Sequence, residues 1–433
     1  MSAIPIHTEA EAFARSSLDY DRLIENDRVH ASLYADPAVF HDELATMYAT
    51  GWVYVGHASE VPQPGDYATK AVGLQSVIMA RHTDGKVYVL HNRCTHRSSQ
   101  VCHEPAGHGD RLTCPYHGWS FAMNGELKTV PGPGGYDQSF DKAALGLVPL
   151  PRVGEYRGFV FASLAATGVS LDEHLGRAKE SIDMICNLSP QGEIELSAGW
   201  MKTRIRANWK MIVENQVDGY HAPFVHGSLM RANRRFATVR DRRESSPARV
   251  RDLGNGHSEI DHATDYRDKG TTLRWSGNIE ESRLPRYVAA MNAAYGPDEA
   301  RRRMIDGPPH TAIFPNLFLA EMAIMVVQPI SEKETIHWTT PVMLKGGEEL
   351  NERTLRRGEG AVGPAGFIIA DDIEVSERAQ KSINNLHPEW LVLKRGLHTE
   401  ELQPDGTRTA GLMDETTQRA FWRQYKKVMG AGK

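Results

Sequence analysis

Along the first fifty residues, large apolar side chains recur at roughly helical spacing among charges (Leu23, Leu33, Phe40, Leu44, Met47), and the pattern stops at Gly51. That periodicity predicts helix. From Gly51 to about Ser163 the chain changes to short β-branched and aromatic runs, WVYVG, SVIMAR, KVYVL and GFVFASL, separated by the turn signals QPGD, TDGK, MNGE and PGPGG. Runs and turns of that kind predict a small all-β unit. Beyond it, LDEHLGRAKESIDMI reads as helix, GEIELSAGWMKTRIRANW as strands, and NWKMIVENQVDGYHAPFVHGSL as helix again. Residues 235 to 275 are charge-rich with few large apolar residues, which predicts surface loops or a lid. AIFPNLFLAEMAIMVVQPI and TIHWTTPVML read as neighbouring strands, and the stretch from GPAGFIIADDIEVSERAQ to QRAFWRQYKKV as mostly helical. The fold class expected is therefore α+β, with three regions: a helical segment 1–50, a β domain 51–165 and a larger mixed domain 166–433.

At 433 residues the chain is longer than a single core usually grows, in keeping with that division. Hydrophobic residues at 40% and charged residues at 24% are ordinary for a globular protein, and a net charge of -5 supplies no basic field for nucleic acid. The N-terminus lacks the basic start and apolar run of a signal peptide, and no apolar stretch nears the ~20 residues of a membrane helix. A cytoplasmic protein, with no nucleic-acid or membrane partner, is the expectation. In a reducing compartment four cysteines suggest metal ligands or core residues before disulfides; Cys186, in an apolar-periodic run, is expected in the core.

The stretch CTHRSSQVCHEPAGHGDRLTCPYHGW, residues 94–119, holds three of the four cysteines and four of the nineteen histidines. Within it Cys94 and His96 form CxH, Cys114 and His117 form CxxH, and seventeen residues separate the pairs. Structural zinc sites usually pair like ligands on one arm, whereas here each arm carries one cysteine and one histidine. A Rieske 2Fe-2S cluster, with two thiolates on one iron and two imidazoles on the other, calls for that division. Imidazole is neutral where thiolate is anionic, so such a cluster accepts single electrons at a raised potential. His91, Cys102, His103 and His108 fall outside the two pairs and are expected to be loop or packing residues.

CPYHGWSF followed by NGEL and VPG resembles the Rieske domain of the aromatic-ring-hydroxylating oxygenase α subunits. One departure is Ser98, where CTHRSS replaces the usual CxHRG and a tight-turn glycine is missing. A Rieske domain needs only about a quarter of the chain. The remainder is addressed by NWKMIVENQVDGYHAPFVH, whose polar residues would be costly on a buried helix without partners or a metal. On an ideal helix Asp218 and His221 lie about 60° apart, while His221 and His226 lie about 140° apart. Both histidines can meet one ion only if the helix breaks, and Pro223 between them is the expected place. Two histidines and a carboxylate make the facial triad of mononuclear non-heme iron oxygenases.

The resemblance implies the rest. GPAGFIIADDIEVSERAQ is similar to the family's distal carboxylate segment, which makes Asp372 the expected iron ligand beside His221 and His226, with Asp371 as the alternative. It implies a Rieske domain with antiparallel sheets ahead of a helix-grip-like catalytic domain, an antiparallel sheet flanked by helices. It implies a homotrimer, with or without β subunits as α3β3, in which Asp218 bridges His117 of one protomer and His221 of the next. Glu214 and Asn215 are close enough in sequence to touch the ligands. Asn215, Val217, Phe224, Phe314, Phe318 and Phe367 are candidate substrate-binding residues, since an aromatic substrate needs mostly apolar walls. The Glu214 to His221 spacing is similar to the benzoate, anthranilate and salicylate branch and one residue tighter than in naphthalene dioxygenase.

The activity so implied is that of a terminal oxygenase, an aromatic-ring-hydroxylating dioxygenase. Electrons pass through the 2Fe-2S cluster to a mononuclear Fe(II), which activates O2 and hydroxylates an aromatic substrate to a cis-dihydrodiol. Rieske monooxygenation, such as ring hydroxylation of an aromatic acid or O/N-demethylation, is the alternative with the same residues. A non-catalytic electron carrier or zinc module is the alternative of another class. No GxGxxG follows a strand, so electrons are expected from NAD(P)H through a separate reductase, with or without a ferredoxin.

Overall fold

The computed structural model describes residues 15–227, 246–267, 272–276, 278–363 and 366–430. The chain divides into two compact units, Tyr48–Leu171 and a second built from Met1–Met47 with Asp172–Lys433. The smaller unit has three antiparallel sheets, and strands of the second and third flank the two cysteine-histidine loops. Val53–His57, Arg152–Tyr156 and Phe159–Ser163 form one. Asp66–Val72, Gln75–Arg81, Val87–His91 and Ala106–His108 form the second. Leu112–Thr113, Ser120–Phe121 and Leu127–Thr129 form the third. The apolar runs account for four of these strands. DYATKAV was not anticipated because its alternation is weakly apolar; pairing on both sides makes it a strand. Ile78, Leu90, Leu112, Trp119 and Phe121 are buried together with Cys94, Cys102 and Cys114.

In the larger unit nine strands form one antiparallel sheet: β1 (Met201–Ile205), β2 (Arg249–Gly254), β3 (His257–Asp261), β4 (His310–Ile313), β5 (Leu317–Ala320), β6 (Ala323–Ser331), β7 (Glu334–Pro341), β8 (Glu401–Leu402) and β9 (Arg408–Gly411). Their order is β1-β7-β6-β5-β4-β3-β2-β9-β8. The helices that matter to the site are α1 (Trp209–Gln216), α2 (Ala222–Val225), α3 (Ile369–Ser382) and α4 (Thr416–Gly430).

Three expectations need correction. Residues 15–50 are a chain of short pieces: helices Tyr20–Leu23 and Pro37–Glu43, with strand Arg28–His30 between them paired to Trp390–Val392. Pro37 starts a helix well but cannot lie inside one. The charge-rich stretch contains β2 and β3, which are interior strands. Its charges pair across the sheet, as in Arg251 Nη1 to Glu259 Oε1 at 2.7 Å, so polarity there does not mark a loop; its residues 235–245 and 268–271 lie outside the described residues. The C-terminal part is not all helical, because β8 and β9 extend the sheet beyond β2.

Candidate metal centres

The two cysteine-histidine loops of the smaller unit are built alike. Cys94 N–H donates to Ser99 O and Cys94 O accepts from Ser98 N–H; Cys114 N–H donates to Trp119 O and Cys114 O accepts from Gly118 N–H. Each turn therefore needs a left-handed residue four places after its cysteine, and Ser98 and Gly118 supply it at φ 59° and 70°. Serine stands where glycine is favoured, and its Oγ accepts from Arg93 Nη2 at 2.9 Å. Asn92 ties the neighbouring backbone, accepting from Val101 and Cys102 N–H and donating to Cys102 O.

These turns bring the four predicted residues together. Burial pushes the Cys94 thiol up, and His96 and Arg97 backbone N–H groups aimed at the sulfur oppose that shift. The rings of His96 and His117 are 4.6 Å apart, with His96 stacked on Trp119 at 4.7 Å. His96 Nδ1 is buried and finds no hydrogen-bond partner among the described residues. Two clustered thiols facing two adjacent imidazoles fit a 2Fe-2S group ligated by Cys94, Cys114, His96 and His117. All four cysteines are free. Cys102 is buried in the same apolar cluster as Cys94 and Cys114, its thiol pushed up to about 12, and Cys186 is in the core. His103 and His108 are exposed and lie beside Glu104 and Asp66.

In the larger unit the break in NWKMIVENQVDGYHAPFVH comes earlier than Pro223. Asn208 caps α1, its side chain accepting from Lys210 N–H, and the helix ends at Gln216. Pro223 then lies in the first turn of α2, where proline is tolerated. Between the helices, Thr417 Oγ1 donates to Val217 O at 2.8 Å, and Gly219 lies so close to Leu412 that a Cβ there would fall 2.1 Å from its carbonyl oxygen. His221 and His226 flank α2 on either side, and their rings are 5.3 Å apart.

The first turn of α3 brings the carboxylate. Asp372 Oδ1 is 3.4 Å from His221 Nε2 and 3.3 Å from His226 Nε2, whereas Asp371 lies on the other side of the His226 ring, 3.6 Å from Nδ1. Ligand atoms of His221, His226 and Asp372 all lie within 4.8 Å of one another. Asp218 Oδ2 is 3.3 Å from His221 Nδ1, a charge contact outside hydrogen-bond alignment. Burial opposes a charge on His221, yet Asp218 and Asp372 raise its ring to about 9; His226 stays below its ordinary value, chiefly through burial. Three donors of two kinds converging on one point fit a mononuclear iron.

A Rieske [2Fe-2S] domain model matches residues 51–143, and a model of the ring hydroxylating alpha subunit catalytic domain matches residues 177–431. The chain belongs to the ring-hydroxylating oxygenase α subunits. Among its relatives, the anthranilate 1,2-dioxygenase large subunit of Acinetobacter baylyi is 27% identical over 95% of this chain and 90% of its own. The large oxygenase component of the 2,4-dinitrotoluene dioxygenase system of a Burkholderia species is 30% identical over 91% and 89%. A naphthalene 1,2-dioxygenase structure with indole bound superposes with a TM-score of 0.83 at 26% identity, covering 96% of this chain and 95% of that one. The protein is thus an oxidoreductase with a Rieske cluster and a mononuclear iron, which removes the zinc-module and carrier readings. Anthranilate and dinitrotoluene relatives match about equally over the whole chain. Among the described residues no helix is long and apolar enough to cross a membrane.

The other candidates of this α subunit separate. Val217 and Phe318 share a buried cluster with Ala312, Ala320, Met325 and Ile369. Phe314 does not join it and packs on Phe421 at 5.7 Å between ring centres. Phe224 and Phe367 are 54% and 71% exposed. Asn215 faces the His221, His226 and Asp372 group, its Nδ2 3.4 Å from Asp372 Oδ1. Glu214 turns away: its Oε1 accepts from Tyr34 Oη at 2.6 Å and Trp422 Nε1 at 3.1 Å. Successive residues of a helix point about 100° apart, so the two neighbours cannot serve the same site. Gln216, in the same stretch but not singled out by it, and His337, which no motif marks, meet at 3.1 Å.

Proposed function

We propose that this α subunit is the terminal oxygenase of a multicomponent system that converts an aromatic compound to a cis-dihydrodiol, with electrons from NAD(P)H delivered by a separate reductase through a ferredoxin. The observation that carries this reading is the convergence of His221, His226 and Asp372 in a chain that also has the paired cysteine-histidine loops. When bound, the cluster supplies single electrons and the iron activates dioxygen. Cys94, His96, Cys114 and His117 hold the first; His221, His226 and Asp372 hold the second. Asn215 and Asp218 orient Asp372 and His221 from behind, as groups around a metal usually do. Val217 and Phe318 supply apolar contacts for an aromatic ring.

Asp218 is the electron link in a homotrimer. It reaches His221 Nδ1, the nitrogen that a metal on Nε2 leaves free, and its side chain keeps 23% of its exposure for a second partner. Asp218→Asn is expected to retain both metal centres and to stop cluster reoxidation in a single turnover with reduced enzyme, substrate and oxygen. Reoxidation at the parent rate would exclude the link. Asp372→Ala is expected to lose the mononuclear iron while keeping the visible spectrum of the cluster, and Asp371→Asn to keep both, as metal analysis would show. Product analysis on aromatic acids, amines and hydrocarbons separates a cis-dihydrodiol from a singly oxygenated product.

A further inference from the structure

The cluster around Val217 has one polar corner. Ala312, Phe318, Met325 and Thr339 face one another across β4, β5, β6 and β7, and the first three are buried with Val217 and Ile369. His337 precedes Thr339 by two residues on β7 and so points to the same side of the sheet. It is 2% exposed. Its Nε2 is 3.1 Å from the amide nitrogen of Gln216, the last residue of α1. Gln216 stands between Asn215, whose amide is at Asp372, and Val217 in the apolar cluster. The amide nitrogen also lies 3.9 Å from the Met325 sulfur.

His337 Nδ1 is buried and has no hydrogen-bond partner among the described residues. A folded chain rarely leaves such a group unpaired, because its desolvation is then uncompensated. Burial holds the imidazole down to about 4, so it is neutral and offers one N–H and one lone pair. The Gln216 amide can likewise donate or accept.

We infer that Gln216 and His337 form the polar corner of the substrate pocket and bind a neutral hydrogen-bonding substituent, a hydroxyl or amino group, on the aromatic ring that is oxidised. The inference rests on the reading of His221, His226 and Asp372 as the iron site. A carboxylate fits this corner poorly. Neither residue carries a positive charge to pair with it. A bare hydrocarbon would leave His337 Nδ1 without a partner, and a site built to bond a hydroxyl discriminates against the analogue that lacks it.

The test uses the full chain carrying both metal centres, and variants Gln216→Met and His337→Phe whose iron content and cluster spectrum match the parent. Anaerobic calorimetry measures the dissociation constants of naphthalene, 1-naphthol, 1-naphthylamine and 1-naphthoate, and of toluene, o-cresol, o-toluidine and o-toluate. In the parent the hydroxyl and amino compounds are expected to bind about tenfold tighter than their hydrocarbons, with the carboxylates weakest. Each variant is expected to bring that ratio to about one. Should His337→Phe fail to fold, Gln216→Met, at a helix end, still decides. An unchanged ratio in Gln216→Met, or tightest binding by the carboxylates, overturns the inference. Turnover of the same compounds by the parent is measured separately. Oxidation with an unchanged ratio leaves the iron-site reading standing and removes this one; a ratio that collapses in the variants, with no oxidation by the parent, does the reverse.

Discussion

At the scale of single residues, Ser98 shows how a departure from a motif is absorbed. Its φ of 59° costs a residue with a Cβ roughly 1–2 kcal/mol, while glycine would gain back entropy in the unfolded chain of roughly 0.5–1 kcal/mol. Ser98→Gly is therefore expected to keep the cluster and to stabilise its unit by roughly 0.5 kcal/mol. Ser98→Val, β-branched at a left-handed position, is expected to lose the cluster. Visible absorbance followed through a denaturant titration reads both.

Glu214 gives a pH effect at the same scale. Burial raises its carboxyl from an ordinary 4.5 to about 7, against hydrogen bonds from Tyr34 and Trp422 and the charge of Lys210. The folded pKa lies above the unfolded one, so the stabilisation is fully present below about 4.5 and is lost as pH rises towards 7. A shift of that size corresponds to about 3 kcal/mol. Both hydrogen bonds end on Oε1, which a glutamine oxygen can replace. The melting temperature of Glu214→Gln relative to the parent is expected to rise between pH 5 and pH 8. A constant difference across that range would show that Glu214 does not titrate there.

At the scale of elements, the candidate metal site depends on where α1 stops. A continuous helix would separate His221 from His226, and the turn at 217–220 is held by Thr417 and by the approach of Gly219 to Leu412. A methyl at 219 would meet the Leu412 carbonyl at 2.1 Å, far inside contact distance. Gly219→Ala is expected to displace Asp218 and His221 together and to cost roughly 1–3 kcal/mol. Iron content should fall while the cluster spectrum stays, a combination that metal analysis and visible absorbance test directly.

At the scale of the larger unit, the N-terminal segment, α1 and α4 meet at Glu43. Its carboxylate accepts from Trp209 Nε1 and Tyr425 Oη, at 2.8 and 2.7 Å, and pairs with Lys210 Nζ. Lys210 and Glu43 side chains are both 0% exposed. Removing one partner strands a buried charge, so Glu43→Leu is expected to destabilise the unit by roughly 3–5 kcal/mol. Replacing both, as Glu43→Leu with Lys210→Met, is expected to recover most of that loss in thermal melts, since a buried ion pair adds little over packed apolar side chains.

Which side chains would converge was largely legible because metal sites demand particular residue types at short spacing. The CxH and CxxH pairs, HAPFVH and the paired aspartates all stand on local turns or first helical turns, where sequence distance limits spatial distance. Strands with strong apolar runs were legible for the same local reason. Tertiary contacts alone decided the rest. Whether Asp371 or Asp372 faces the histidines depends on how α3 is rotated against α2. That charged β2 and β3 lie inside a sheet depends on partners more than forty residues away, such as β4 and β9. Glu214 and Asn215 part company because adjacent helical positions face different neighbours, and His337 meets Gln216 across 121 residues. A linear pattern encodes which groups can ligate and bend; only packing chooses which groups meet.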